Sequence, residues 1–228
     1  MSNKYGPKIV TDGLVFCIDA SDIKSYPGSG TTWKDRSGNS YDCLLSNSPV
    51  YTLDYKGGFI FDGANTLCRS TLPVSDLQET FTVCVWFSVS GDTNVPNTSN
   101  RLISADSTSG STKWAIGINS STQFQVAGAG GSDGEPSFPV TLNVPYFACF
   151  ICHDVSSYSL FLNDTKELTN ESFSVTTADF GNIGIACRPN STDRIFDGTV
   201  YSVAMYNRNL TDQEVSQNYN AIKGRFGY

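Results

Sequence analysis

Residues 196–228 read FDGTVYSVAMYNRNLTDQEVSQNYNAIKGRFGY, an alternating strand that runs into one capped helix at the end of a chain otherwise full of strand and turn signals. Thr211 and Glu214 stand at the Thr-x-x-Glu spacing of a capping box, Leu210 and Val215 hold the two ends of a hydrophobic staple, and Lys223-Gly224 supplies a basic last turn and a Gly stop. The spacing predicts a helix over 211–222. Val215, Tyr219 and Ile222 fall at i, i+4 and i+7 on one stripe, while Asp212, Gln213, Gln217 and Asn220 point elsewhere. An apolar stripe on a lone helix must be covered by a sheet.

Working back from the helix, strand patterns follow at short spacing: 13–19, 41–45, 57–62, 66–70, 80–89, 100–105, 112–118, 121–127, 146–153, 157–163, 172–177, 182–187 and 196–206. No interior segment has the length and period of a long helix. Within 80–89, Phe81, Val83, Val85 and Phe87 share one face and Thr82, Cys84, Trp86 and Ser88 the other, which predicts a strand with one core face. Asn163-Asp164 closes the alternation of 158–163 with a hairpin turn. Long loops are expected over 20–39, 91–100 and 128–145, and binding chemistry is expected in the last, because Gly- and Pro-rich segments of that length are commonly functional. Phe-Asp-Gly occurs at 61–63 and again at 196–198, which is turn chemistry at strand ends rather than a repeat.

The C-terminal stretch, with its Phe-Asp-Gly turn, Tyr-Asn-Arg, Leu-Thr-x-x-Glu-Val and Tyr-Asn-Ala-Ile-Lys-Gly-Arg-Phe-Gly, resembles the laminin-G-like, concanavalin A-like jelly-roll domains of tailed-bacteriophage virion proteins. GLVFCIDASDIKSYPGSGTTWKDRSGN at 13–39 is similar to the opening of that family, and GGFIFDG at 57–63 and FTVCVWF at 81–87 lie between the two ends. The resemblance implies an all-β, two-sheet antiparallel jelly-roll sandwich with one short C-terminal helix. An N-terminal arm over 1–12 then precedes a single domain over 13–228. A fold of this kind carries unrelated binding functions, so the fold does not itself name one.

With 228 residues, 39% of them hydrophobic and 16% charged, the chain suits one sandwich of many short strands. A net charge of −7 argues against a phosphate-backbone surface, so nucleic acid is not an expected partner. The N-terminal MSNKYGPKIVTDG has no signal-peptide apolar run, and no stretch approaches the roughly 20 apolar residues of a membrane span. Assembly in a host cytoplasm without a secretion signal is therefore expected. Seven cysteines are an odd number, and most sit in apolar strand patterns, which predicts free buried thiols.

Glycoside hydrolysis needs two carboxylates roughly 5 to 9 Å apart. No strand carries two acids on one face, the strand aspartates read as solitary, and the chain is expected not to be an enzyme. Cys149 and Cys152 fall on opposite faces of a strand and do not make half a zinc site, and His153, the one histidine, reads as a strand-end surface residue. The resemblance raises a rim calcium, for which Asp106, Asp133 and Glu135 are the candidates. They lack the dense carboxylate spacing of a calcium loop, so no cofactor is expected. Asp19 and Asp35 read as turn-fixing side chains. Tyr26, Trp33 and Trp114 are candidate platforms for a sugar ring, with Asp106, Asp133 and Glu135 as its hydrogen-bonding companions or as partner contacts.

From the resemblance, the expected role is a virion-surface structural protein, a head decoration or a fibre or knob subunit, present in several symmetric copies. Its partners would be capsid or neighbouring virion proteins, with host-surface glycans as further ligands. A receptor-binding lectin module of a tail fibre or baseplate is the alternative, and a cellular carbohydrate-binding domain or hydrolase remnant the third reading.

Overall fold

A computed structural model describes residues 8–77, 79–91, 100–107, 112–119, 122–128, 136–172 and 180–228. The strands in chain order are β1 (Leu14–Asp19), β2 (Thr32–Trp33), β3 (Cys43–Ser46), β4 (Val50–Thr52), β5 (Gly58–Asp62), β6 (Leu67–Pro73), β7 (Phe81–Val89) and β8 (Asn100–Ser107). They continue as β9 (Thr112–Ile118), β10 (Gln123–Ala127), β11 (Phe138–Pro139), β12 (Tyr146–Asp154), β13 (Ser157–Leu162), β14 (Thr165–Ser172), β15 (Phe180–Ile185) and β16 (Asp197–Tyr206), and α1 (Asp212–Ile222) follows. One sheet runs β14-β13-β12-β7-β16-β5-β4, with β1 also on β16; the other runs β11-β10-β9-β8-β15-β6-β3-β2. The chain is an all-β sandwich of two antiparallel sheets with one short C-terminal helix, a concanavalin A-like jelly roll.

The main core lies between the sheets and takes Phe81, Val83, Val85 and Phe87 from β7, as the alternation predicts. The opposite face of β7 is not open to solvent: all nine residues of the strand are buried. Cys84 and Trp86 belong to a second apolar cluster with Phe147, Tyr206, Val215, Tyr219 and Phe226, because α1 and the segment after it lie on the outside of the sheet. Trp86 stacks on Phe226 at 4.3 Å and on Tyr219 at 5.6 Å between ring centroids. Asn218, between the stripe positions, is also buried: its Oδ1 accepts from the Val10 amide at 2.8 Å and its Nδ2 donates to the Tyr206 hydroxyl at 3.0 Å. The end of the N-terminal arm is thus tied to the helix.

Of the strand expected over 172–177, residues 173–177 lie outside the described residues. The second strand of the hairpin that turns at Asn163-Asp164 is Thr165–Ser172, which is not among the strands expected from the sequence. It is a mostly exposed edge strand without an apolar rhythm, so periodicity misses it. Gly224 is not a stop: the chain continues as a 3-10 turn over Lys223–Arg225, and the left-handed glycine is Gly227, with φ of 86°. His153 is not a free surface group, since Ser159 Oγ lies 2.7 Å from Nε2 and Asn209 Nδ2 lies 3.1 Å from Nδ1.

The capping box is present in both directions. Glu214 also takes two hydrogen bonds from Arg208, at 2.7 and 2.9 Å. Those bonds, and then the Thr211 amide, outweigh burial and hold the Glu214 carboxyl at about 2, below its usual 4.5. A depressed folded-state pKa gives stability that is complete above the unfolded value and is lost as pH falls through the folded one. Urea midpoints should therefore fall between about 4.5 and about 2, and Glu214→Gln should flatten that limb; parallel limbs in the two proteins would refute the link. Thr211→Ala should cost about 0.5–2 kcal/mol through the lost cap.

All seven cysteines are free. Cys84 and Cys149 face each other across β7 and β12 with Sγ atoms 3.1 Å apart, well beyond the ~2.0 Å of a covalent bond. Burial pushes the Cys17 and Cys152 thiols up to about 12, which keeps them protonated and unreactive. Denatured, unreduced protein should titrate with close to seven thiols; one or none would mean three disulfides.

Candidate functional site

The sugar-site candidates named from sequence do not come together. Trp33 is fully buried against Phe59 at 4.7 Å, Trp114 is buried against Phe81 at 5.0 Å, and Tyr26 is buried against Phe59 at 4.7 Å with its hydroxyl on Gly30 O. All three are core residues, since each ring lies on an inward strand or loop position, and none offers a platform. Asp106 is wholly buried and takes Arg188 Nε at 3.0 Å, so it is not an open ligand. Burial raises its carboxyl pKa against the opposing pull of Arg188 and Arg101. Asp133 and Glu135 lie outside the described residues, as do 92–99 and 129–135 of the loops expected over 91–100 and 128–145. Asp35 does fix its turn, accepting from the amides of Cys17 and Ser37. No group of three or more His, Cys, Asp or Glu side chains capable of holding a metal occurs among the described residues.

A site with one exposed ring forms instead on the outer face of the first sheet, beside α1: Tyr55 is 39% exposed, and Tyr201 beneath it is 3% exposed. β16 changes partner along its length: Asp197–Val200 pair with β5, and Ser202–Tyr206 pair with β1. Its register against β7 shifts between Val200 and Ser202, so Tyr201 sits at the irregularity and is buried in the apolar cluster on the outer face of the sheet. The ring of Tyr201 lies over β5 because residue 58 is glycine. A Cβ there would stand 2.7 Å from Thr199 Cγ2 and 2.8 Å from Tyr201 Cδ1.

The second ring comes from the turn before β5. Tyr55 has φ of 47°, a left-handed conformation costly for a residue with a side chain, within the 3-10 turn Asp54–Lys56. Arg225 holds that turn, donating to the carbonyls of Tyr55 and Gly57 and, through Nη1, to Asp19 Oδ1 at 2.7 Å. Tyr55 meets Tyr201 edge to face, with centroids 5.6 Å apart and an interplanar angle of 86°, and stays 39% exposed.

Between and beside these rings is a cleft of about 460 Å³. Thr52, Ser88, Ser90, Thr199, Tyr201, Asn143 and Asp54 line it, with Ile60 as the aliphatic element. Ser88 Oγ and the Tyr201 hydroxyl are 3.0 Å apart, which orients both.

Asp62 and Asp197 stand beyond Ile60 and Thr199, directly opposite each other across β5 and β16. They belong to the two Phe-Asp-Gly tripeptides, so the strand aspartates are not solitary. Burial works against the Asp62 carboxylate, but the amides of Asn65, Thr66 and Ala64 and the Thr66 hydroxyl together hold its pKa well below the ordinary range. Asp197 is pushed the other way, by burial and then by the charge of Asp62. Its carboxylate has no hydrogen-bond partner among the described residues. Two further clefts exist. One of about 410 Å³ lies under α1 and is walled mainly by Trp86, Phe147, Val203 and Ile222. The other, about 400 Å³, lies at the rim between Asn100, Thr192 and Asp193.

Residues 62–216, more than half of the chain, match the laminin G family described as the concanavalin A-like lectin/glucanases superfamily, and the chain belongs to that family. No curated protein matches it by sequence. Among solved structures it is similar to Trypanosoma rangeli sialidase in complex with the inhibitor DANA, with a TM-score of 0.70 and 17% identity over 93% of this chain and 33% of that one. A receptor binding domain gives a TM-score of 0.63 at 13% identity, covering 93% of this chain and 52% of that one. The binding domain of Paraclostridial Mosquitocidal Protein 1 gives 0.63 at 15%, covering 92% and 52%. The chain spans about a third of the sialidases and about half of the binding domains.

These likenesses correct the expectation that the chain is not an enzyme. The fold recurs within enzymes, and at these identities the likeness speaks for the fold alone. The expectation rested on acids sharing one strand, and that test is too narrow, because Asp62 and Asp197 come together from strands more than a hundred residues apart.

Proposed function

We propose that this domain is a glycan-recognition module that binds through the Tyr55–Tyr201 cleft, and that it does so on the surface of a virion. The observation that carries the proposal is the cleft itself. The Tyr55 ring, 39% exposed, stands at right angles on the buried ring of Tyr201, and the two border a cavity lined also by Thr52, Asp54, Ile60, Ser88, Ser90, Asn143 and Thr199. A sugar ring offers an apolar C–H face and a belt of hydroxyls that both donate and accept. The Tyr55 ring matches the first, and serine, threonine and asparagine match the second. The parts are held before ligand arrives: Arg225 locks the turn that carries Tyr55, and Gly58 lets Tyr201 lie on the sheet.

Two of the fold neighbours are named as binding domains, which is consistent with a recognition role. The virion setting, with cytoplasmic assembly, symmetric copies and neighbouring virion proteins as partners, comes from the resemblance of the two chain ends to phage virion domains. Within that setting the cleft favours the receptor-binding alternative over pure decoration. Soluble domain should bind a subset of an immobilised glycan panel saturably and should compete with particles for adsorption to host cells. Failure to bind any glycan would refute the recognition reading. Loss of particle stability on deletion, with adsorption intact, would make the protein a decoration subunit instead.

A further inference from the structure

Resting on that reading, we infer that the cleft accepts neutral or amino-bearing oligosaccharides and excludes anionic ones such as sialylated or sulfated glycans. The charges around it have one sign. Asp54 lines the wall, and Asp197 and Asp62, outside the lining, pair with each other two residues beyond the lining pair Thr199 and Ile60. Asp197 lies close to that wall: its carbonyl accepts from the Ser90 amide at 3.2 Å, and a Cβ at Gly91 would stand 2.2 Å from its Oδ2. The cations nearby do not offset these groups. Arg225 is 6% exposed and its donors are committed to Asp19, Tyr55 and Gly57, and Lys56 is exposed and does not line the cleft.

The geometry also sets the ligand's length. From Tyr201 to Asp197 is four residues of strand, about 13 Å at ~3.3 Å per residue, longer than one sugar ring. A glycan with one ring on Tyr55 therefore extends toward Asp197 across Ile60 and Thr199. What it meets there is an acceptor: the Asp197 carboxylate has no partner among the described residues, whereas Asp62 Oδ1 already receives the amides of Ala64, Asn65 and Thr66. A hydroxyl or ammonium group completes such an acceptor. A carboxylate or sulfate repels it in a concave wall where screening by salt is weaker than on an open surface.

The test compares binding to matched oligosaccharide pairs that differ only in a terminal sialic acid or sulfate, together with the glucosamine disaccharide. The expected result is binding of neutral and amino forms, at least tenfold weaker binding of the anionic partners, and a narrowed gap in Asp197→Asn. Asp54→Asn, on an exposed turn, serves as a second variant should Asp197→Asn fail to fold, and should narrow the gap in the same direction. Anionic members that bind as tightly as their neutral partners would overturn the inference while leaving glycan recognition standing. Absence of binding to every member would overturn both.

Discussion

Trp86→Ala is expected to destabilise the domain by about 3–5 kcal/mol, the range for removing a large aromatic from a packed core. Against a total stability of about 5–15 kcal/mol this is the largest single-residue effect foreseen here. Trp86 is 1% exposed and carries the second core: it stacks on both Tyr219 and Phe226, and Phe147 packs at 5.4 Å. Its loss leaves a cavity that the sheet cannot close, because the neighbouring outward positions belong to paired strands. The midpoint of urea unfolding should fall, and the amides of α1 should lose hydrogen-exchange protection before those of the main core. A cost below about 1 kcal/mol would mean that the helix does not rest on this side chain.

Tyr55→Ala is expected to weaken glycan binding by about 30-fold, equivalent to ~2 kcal/mol, the scale of a central aromatic anchor. Stability should move by less than about 1 kcal/mol, since the ring is half exposed and the left-handed backbone is equally costly for alanine. Tyr55→Phe keeps the ring and should retain most of the affinity. Isothermal titration of the two variants beside thermal melts separates binding from folding. Equal affinities for wild type and Tyr55→Ala would remove the platform from the account.

The helix and the sandwich were legible in the sequence because their signals are local. A capping box, a staple and a 3.6-residue stripe mark α1, and period-2 alternation marks β7 and β13. The second core was not legible: Trp86 sits on what alternation alone assigns to solvent, and only the docking of α1 makes that face apolar. Asn218 was missed for a related reason, since a buried amide that bonds to Val10 and Tyr206 looks polar until its partners are known.

The candidate site was less legible still. Sequence directs attention to large aromatics in the first long loop and on the strand of Trp114, and Tyr26, Trp33 and Trp114 are drawn into the core because burying a large ring stabilises more than exposing it. Tyr55 and Tyr201 gave weaker signals. One lies before a Gly-Gly pair, and the other at the irregularity where β16 changes partner, and neither feature implies that the two rings meet until the strands are paired. The Phe-Asp-Gly echo held information of the same kind, because the pairing of Asp62 with Asp197 is a property of the sheet and not of either tripeptide.

The central claim is that glycan is recognised at the cleft between Tyr55 and Tyr201. Backbone amide NMR of the intact domain, titrated with an oligosaccharide that the panel identifies as a ligand, tests it most directly. Saturable shifts should cluster at Thr52, Tyr55, Ile60, Ser88, Asn143, Thr199 and Tyr201, reach Asp197, and vanish in Tyr55→Ala. Shifts confined to the rim around Asn100, Thr192 and Asp193, or to the groove under α1, would place recognition elsewhere and contradict the account.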